Sequence, residues 1–231
     1  MQTINKQPPG PECLVLAKAS ANQVGFVWPP PGQGCSDDVR ARLVAEQHGL
    51  CAYCQQRIKA TGDKMKIEHV RPRSVKPYDE EMYDWSNLLG VCLGQTLQAG
   101  KVVDHCDAAK GAQLLNHHPA NSSHGIEDRF VYRRMPPNGS PPPYPGVWIH
   151  GVTTEAAADV TVLRLNAEPL VRNRHRAVDQ LRRRLAKANK SQATRLLTST
   201  RAAATNPNGG ELPPFARLLR EEAEKRLRQR S

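Results

Sequence analysis

Four cysteines in the middle of this 231-residue chain are spaced to hold a metal ion, and they bracket a set of oxygen and nitrogen donors. Cys51-Ala-Tyr-Cys54 is a C-x-x-C turn, whose spacing lets two thiolates reach one tetrahedral ion. Cys92 and Cys106 are the natural second pair, and a hairpin or loop made of LGQTLQAGKVVDH has to bring them together. Four thiolates leave no open coordination position, so the Zn²⁺ expected here is structural. Other readings stay open: four reduced cysteines can pack in a core, and C-x-x-C is also a redox motif, although the βαβ context it needs is absent. Between the pairs stand Glu68-His69 and Asn87, and Asp107 follows Cys106 directly. Residues of these types suit a second, hydrated, oxygen-bound ion.

The succession KIEHVRPRS, DWSNLLGVC, CDAAKG resembles the HNH nucleases, in whose ββα-metal fold a hairpin and a helix clasp one divalent ion. The resemblance implies an α+β fold with an HNH core stapled by the four-cysteine zinc, and hydrolysis of phosphodiester bonds. It implies His69 as the general base, a suitable residue because its unperturbed pKa lies near working pH. Glu68 and Asp107 would be ligands of a catalytic Mg²⁺ or Mn²⁺, hard ions that accept carboxylates and water. Asn87 would orient the loop bearing His69 through backbone hydrogen bonds. Arg71, Arg73 and Lys110, beside these residues, are candidates for nucleic-acid phosphates. Two departures from the family pattern are visible. Asp107 stands where the third histidine is expected, with His105 as a rival ligand, and Glu68 replaces the commoner Asp. Taken singly, Glu68-His69 also reads as a surface ion pair, Asn87 as a turn residue and Asp107 as a helix N-cap.

Several elements must position these groups. Residues 1–35 are rich in proline and glycine and read as an extended arm, partly docked by Leu14, Val15, Leu16, Phe26, Val27 and Trp28. Cys13 and Cys35 lie outside the central pattern and read as bystanders. Ser36 is the expected N-cap of a lead-in helix with Asp37 and Asp38 in its first turn, an apolar face of Val39, Leu43 and Val44, and Gly49 as its stop. On a strand, Glu68 and His69 point to opposite faces unless a bend intervenes, and Pro72 favours a bend. The expected segments are an arm with its lead-in helix (1–49), the metal-bearing core (50–116), a proline-rich connection (117–152) and a helical region (153–231). Within the connection, RFVYRR and GVWIHG read as short strands. In the helical region, Val171, Val178, Leu181 and Leu185 recur at helical spacing among arginines. A last helix is expected to enter at Pro213-Pro214, with Phe215, Leu218, Leu219, Ala223 and Leu227 on its apolar face.

The formal charge of +11 points to a polyanionic partner, nucleic acid first of all. MQTINKQPPG has no apolar h-region and no apolar run reaches membrane-spanning length, so a cytoplasmic protein with no membrane partner is expected. The whole layout, from GLCAYC through the CDAAKG helix to the basic helices, resembles the PtuB group of HNH nucleases from Septu antiphage systems and some retrons. That implies a PtuA-like ATPase as partner and, in retrons, a reverse transcriptase with its RNA–DNA hybrid. DNA is the expected target. Two alternatives are an HNH nuclease acting on RNA and a non-catalytic zinc-stapled module that binds nucleic acid or bridges partners.

Overall fold

Strand β1 (Lys66–His69) pairs antiparallel with β2 (Leu88–Val91), Lys66 opposite Val91 and His69 opposite Leu88. This computed structural model describes residues 1–207 and 209–230, without the side chains of Asn22 and Val24. The class is α+β, with eight α-helices and three two-stranded antiparallel sheets among the described residues. Leu88, Leu89 and Val91 are fully buried, and helix α2 (Cys35–Glu46) packs Val39 and Leu43 against the pair. Each such side chain removed from water contributes roughly 1.5–3 kcal/mol. Gly49, past the end of α2, has the left-handed φ of 73° expected of a stop.

The arm is not extended throughout. Glu12–Val24 forms helix α1, because QPPGPE and WPPPGQG flank that stretch while ECLVLAKASANQV contains no glycine or proline. Leu14, Ala17 and Ala21 recur on its buried face. Cys13 and Cys35 are not bystanders either. They form a disulfide, since α1 and α2 begin side by side with the two Cα atoms 5.8 Å apart. Gly34, in the left-handed region, is the N-cap of α2 in place of Ser36, so Cys35 already lies in the first turn.

Segment 117–152 holds more than connection. A short turn α4 (Ile126–Arg129) leads into β5 (Phe130–Arg133), which pairs with β6 (Trp148–Gly151) at the two stretches read as strands. Ile126, Phe130 and Ile149 join a principal core that runs from Met1 to Leu170 and includes α5 (Thr154–Val162). Beyond it, α6 (Glu168–Ala186) buries Val171, Val178, Leu181 and Leu185 as its periodicity predicts, with Pro169 in its first turn. Helix α7 (Lys190–Ala203) opens on an Asn189–Gln192 capping box. The last helix, α8 (Ala216–Arg228), starts after Phe215, somewhat later than Pro213-Pro214 suggests. Arg217 on α8 donates to the carbonyls of Met1, Glu127 and Phe130, tying the helical region to the core. No helix among the described residues is long and apolar enough to cross a membrane.

A half-buried histidine, His118, is expected to make the fold acid-sensitive. His118 Nδ1 accepts from the Ala120 amide at 3.1 Å, while burial, then Arg71, His124 and Lys6, hold its pKa down to about 4. A histidine depressed in the folded state contributes stability that is complete above its unfolded pKa. That contribution is lost as pH falls toward the folded value. Stability is therefore expected to drop by up to roughly 3 kcal/mol from this group as pH falls from about 6.5 to 4. Denaturant titrations across that window test it: His118→Asn, which keeps the acceptor, should flatten the profile, and an unchanged slope would assign the sensitivity elsewhere.

Candidate active site and cysteine metal centre

The sulfurs of Cys51, Cys54, Cys92 and Cys106 all lie within 4.8 Å of one another. Cys54 and Cys92 are 3.8 Å apart, and Cys51 and Cys106 are 4.0 Å apart. Tetrahedral zinc with Zn–S bonds of 2.3 Å requires sulfur separations of about 3.8 Å, so the group can hold a metal ion such as zinc. Three of the cysteines are buried and Cys92 is half-buried. Burial pushes the Cys54 and Cys106 thiols well above the usual range. Hydrogen bonds from Cys106, Cys51 and Cys54 hold Cys92 below it.

Local backbone sets this geometry. The Cys51 amide donates to Gln56 O and Gln55 N to Cys51 O, closing a turn in which Gln55 has φ of 63°. Ala52 N donates to Gly90 O and fastens the turn to β2. LGQTLQAGKVVDH folds as a hairpin of β3 (Gln95–Gln98) and β4 (Lys101–Asp104), returning Cys106 to Cys92. A side chain at Gly94 (φ 76°) would stand 2.7 Å from His105 O and 2.8 Å from Ala108 N, so only glycine closes that turn. Cys106 has φ of 54°, an uncommon value for a non-glycine residue, and its amide donates to Leu163 O as the chain turns into α3 (Asp107–Lys110).

His105 does not serve the second site. Its Nδ1 lies 3.3 Å from Cys106 Sγ and 3.9 Å from Cys92 Sγ, and its Nε2 lies 3.1 Å from Thr96 Oγ1. The β4–α3 corner turns its ring onto the sulfurs, so the rival ligand is instead a neighbour of the cysteine centre.

Glu68 and Asp107 come together from the end of β1 and the start of α3. Tyr53 Oη donates to Glu68 Oε1 at 3.1 Å, and the Lys110 ammonium sits 2.8 Å from the same oxygen. Burial raises the Glu68 pKa to about 8. Lys110 opposes that rise, and the Asp107 carboxyl, close enough to share a hydrogen bond, adds to it. Lys66 Nζ reaches Asp107 at 3.2 Å. Lys110 is thus no phosphate ligand: its side chain is wholly buried, and its ammonium also donates to His69 O at 3.3 Å, because the short helix turns inward after Cys106. Arg73 is exposed, whereas half-buried Arg71 is paired with Glu81.

His69 is 7% exposed, and its Nε2 lies 3.1 Å from Met82 O. A carbonyl only accepts, so Nε2 carries the proton and Nδ1 is left as a free acceptor. Burial lowers the ring's pKa to about 4, and Trp28 covers it edge-on with centroids 4.4 Å apart. Among the described residues, Glu68, His69 and Asp107 do not bring three donor atoms within 4.8 Å of one another. Glu68 and Asp107 form a carboxyl pair, whereas His69, next along β1 in regular pairing with Leu88, makes its own contacts with Met82 O and Trp28.

Asn87 is fully buried and braces the β1–β2 loop. Its Oδ1 accepts from Arg71 N at 2.8 Å, and its Nδ2 donates to Arg71 O at 3.0 Å and Glu81 O at 3.3 Å. Asn87→Ala should cost on the order of 1–3 kcal/mol for each buried group left unpaired. Urea denaturation measures it, and a loss under 1 kcal/mol would show the brace to be dispensable. Tyr53, the Met82 carbonyl and the Trp28 cover lie outside the site residues expected from sequence. Tyr53 stands inside C-x-x-C, which was its one visible signal, whereas a main-chain carbonyl has none. No protein-family model and no curated protein matches this chain.

Proposed function

We propose that this chain is a metal-dependent HNH endonuclease of ββα-metal type, hydrolysing nucleic-acid phosphodiester bonds as the effector of an antiphage defence system. The observation that carries the reading is the meeting of Glu68 and Asp107 at the end of the β1–β2 pair, next in sequence to a histidine whose Nε2 is held by Met82 O. Cys51, Cys54, Cys92 and Cys106 would hold a structural zinc. Glu68 and Asp107 would hold Mg²⁺ or Mn²⁺, an arrangement that leaves most of the ion's shell to water and substrate. When bound, that ion would stabilise the charge on the phosphate and the departing 3′ oxygen.

The chain's own groups do the rest. His69 Nδ1 takes a proton from water as its oxygen bonds to phosphorus and the bond to the 3′ oxygen breaks. Met82 O fixes the ring, and burial keeps it neutral. Asn87 holds the loop on which His69 stands. Lys110 offsets the charge of Glu68 and links α3 to β1. By the resemblance, a PtuA-like ATPase would be the partner, joined in a retron by a reverse transcriptase and its RNA–DNA hybrid.

Incubating the zinc-loaded chain with plasmid, single-stranded DNA or RNA, with and without Mg²⁺ or Mn²⁺, tests the reading. Ion-dependent strand breaks are expected on DNA; breaks confined to RNA would select the RNA-acting alternative. No breaks on either polymer, alone or with the ATPase, would leave a non-catalytic zinc-stapled module. That second reading draws on the Lys110 ammonium already paired with Glu68.

A further inference from the structure

Three guanidinium groups crowd one carboxylate where β5, α6 and α8 meet. Glu222 Oε1 lies 2.7 Å from Arg226, 3.6 Å from Arg182 and 3.9 Å from Arg134. The neighbouring acids are already engaged, Glu221 with Arg217 at 2.6 Å and Asp179 with Arg183 at 2.8 Å. Three positive charges therefore share one negative charge, and all three arginine side chains are between 28% and 43% exposed. Of the cluster, Arg134 and Glu222 line a cleft of about 450 Å³, whose wall also carries Arg133, Lys225 and Glu221. Burial, and then repulsion from Arg182, lowers the Arg134 pKa. At the same place the Nδ1 atom of His175 is buried without a partner.

We infer that this arginine cluster, with the cleft that Arg134 lines, is a nucleic-acid backbone site, in which Arg134, Arg182 and Arg226, residues distinct from Glu68, His69 and Asp107, grip phosphate groups. Guanidinium forks match phosphate oxygens in a two-point geometry, and a second anion relieves the crowding that Glu222 alone leaves. Backbone contacts of this kind hold a strand in place without reading its sequence. The inference deepens the nuclease reading by giving the substrate a grip separate from the cutting residues.

Binding of fluorescein-labelled single-stranded and duplex DNA, measured by anisotropy without added divalent ion over a range of NaCl concentrations, tests it. Arg134→Ala with Arg182→Ala is expected to weaken binding at least tenfold near 0.1 M salt. The slope of log affinity against log salt should fall by roughly 1.4 to 1.8. Glu222→Gln should tighten binding several-fold, a gain that damage to the fold would not produce. Unchanged affinity and slope in the double variant, or weaker binding in Glu222→Gln, would overturn the site. Loss of binding to polyglutamate with DNA binding retained would overturn it in favour of an acidic protein partner. Because no step requires cleavage, a chain that binds as expected but never cuts would refute the nuclease reading alone.

Discussion

His69→Ala is expected to lower divalent-ion-dependent cleavage by about 10²–10⁴-fold, the usual range for removing a positioned general base. The expectation rests on one side chain meeting two requirements. Its Nε2 is committed to the Met82 carbonyl, which orients the ring and leaves Nδ1 unprotonated. Burial holds its pKa to about 4, so at neutral pH the ring is unprotonated, and it is a weaker base than a free imidazole. Alanine also leaves a void under Trp28, so His69→Gln is the companion variant. Glutamine can keep a donor toward Met82 O but offers no base of comparable strength. Both variants should retain zinc and a wild-type melting temperature within a few degrees, and both should be inactive in single-turnover assays. Cleavage at near wild-type rate by either variant would remove His69 as the base and with it the proposed mechanism.

Cys51→Ser and Cys106→Ser should each reduce bound zinc from one ion per chain toward none, with loss of soluble, folded protein. Structural zinc contributes about 10–16 kcal/mol of apparent binding energy in small zinc-folded units. A whole domain has only about 5–15 kcal/mol of net stability. Here the sulfurs join the Cys51–Cys54 turn, the end of β2, the β3–β4 hairpin and the start of α3, all elements too short to persist alone. Asp107 follows Cys106 directly and would lose its position as well. Elemental analysis and thermal melts measure both effects. The Cys13→Ser, Cys35→Ser double variant is the control, since that pair is a disulfide outside the cluster and its loss should leave zinc content unchanged. Full zinc occupancy in both single variants would sink the four-cysteine assignment.

Much of this was legible along the chain. The C-x-x-C turn, the helical periodicity of Val171, Val178, Leu181 and Leu185, and the two strand stretches around Val131 and Ile149 are local patterns. Local patterns are what sequence displays directly, because spacing along a strand or helix dictates which side chains share a face. Proline density misled in residues 1–35, where the prolines flank α1 and do not fill it. Lys110 misled for a different reason: a lysine beside a candidate site reads as a phosphate contact until its burial against Glu68 is seen.

The residue types of the candidate site, their order and the four-sulfur spacing were determined by the sequence alone, because coordination chemistry and local backbone geometry depend on identity and separation. Which groups meet was decided by the tertiary structure. Cys13 finds Cys35, His105 turns to the sulfurs, Glu68 meets Asp107 and Lys110, and three arginines from separate elements converge on Glu222. Most of those encounters join parts of the chain far apart in sequence, Arg226 with Glu222 and His105 with Cys106 being local, and they depend on how the apolar faces of the helices and strands are buried together.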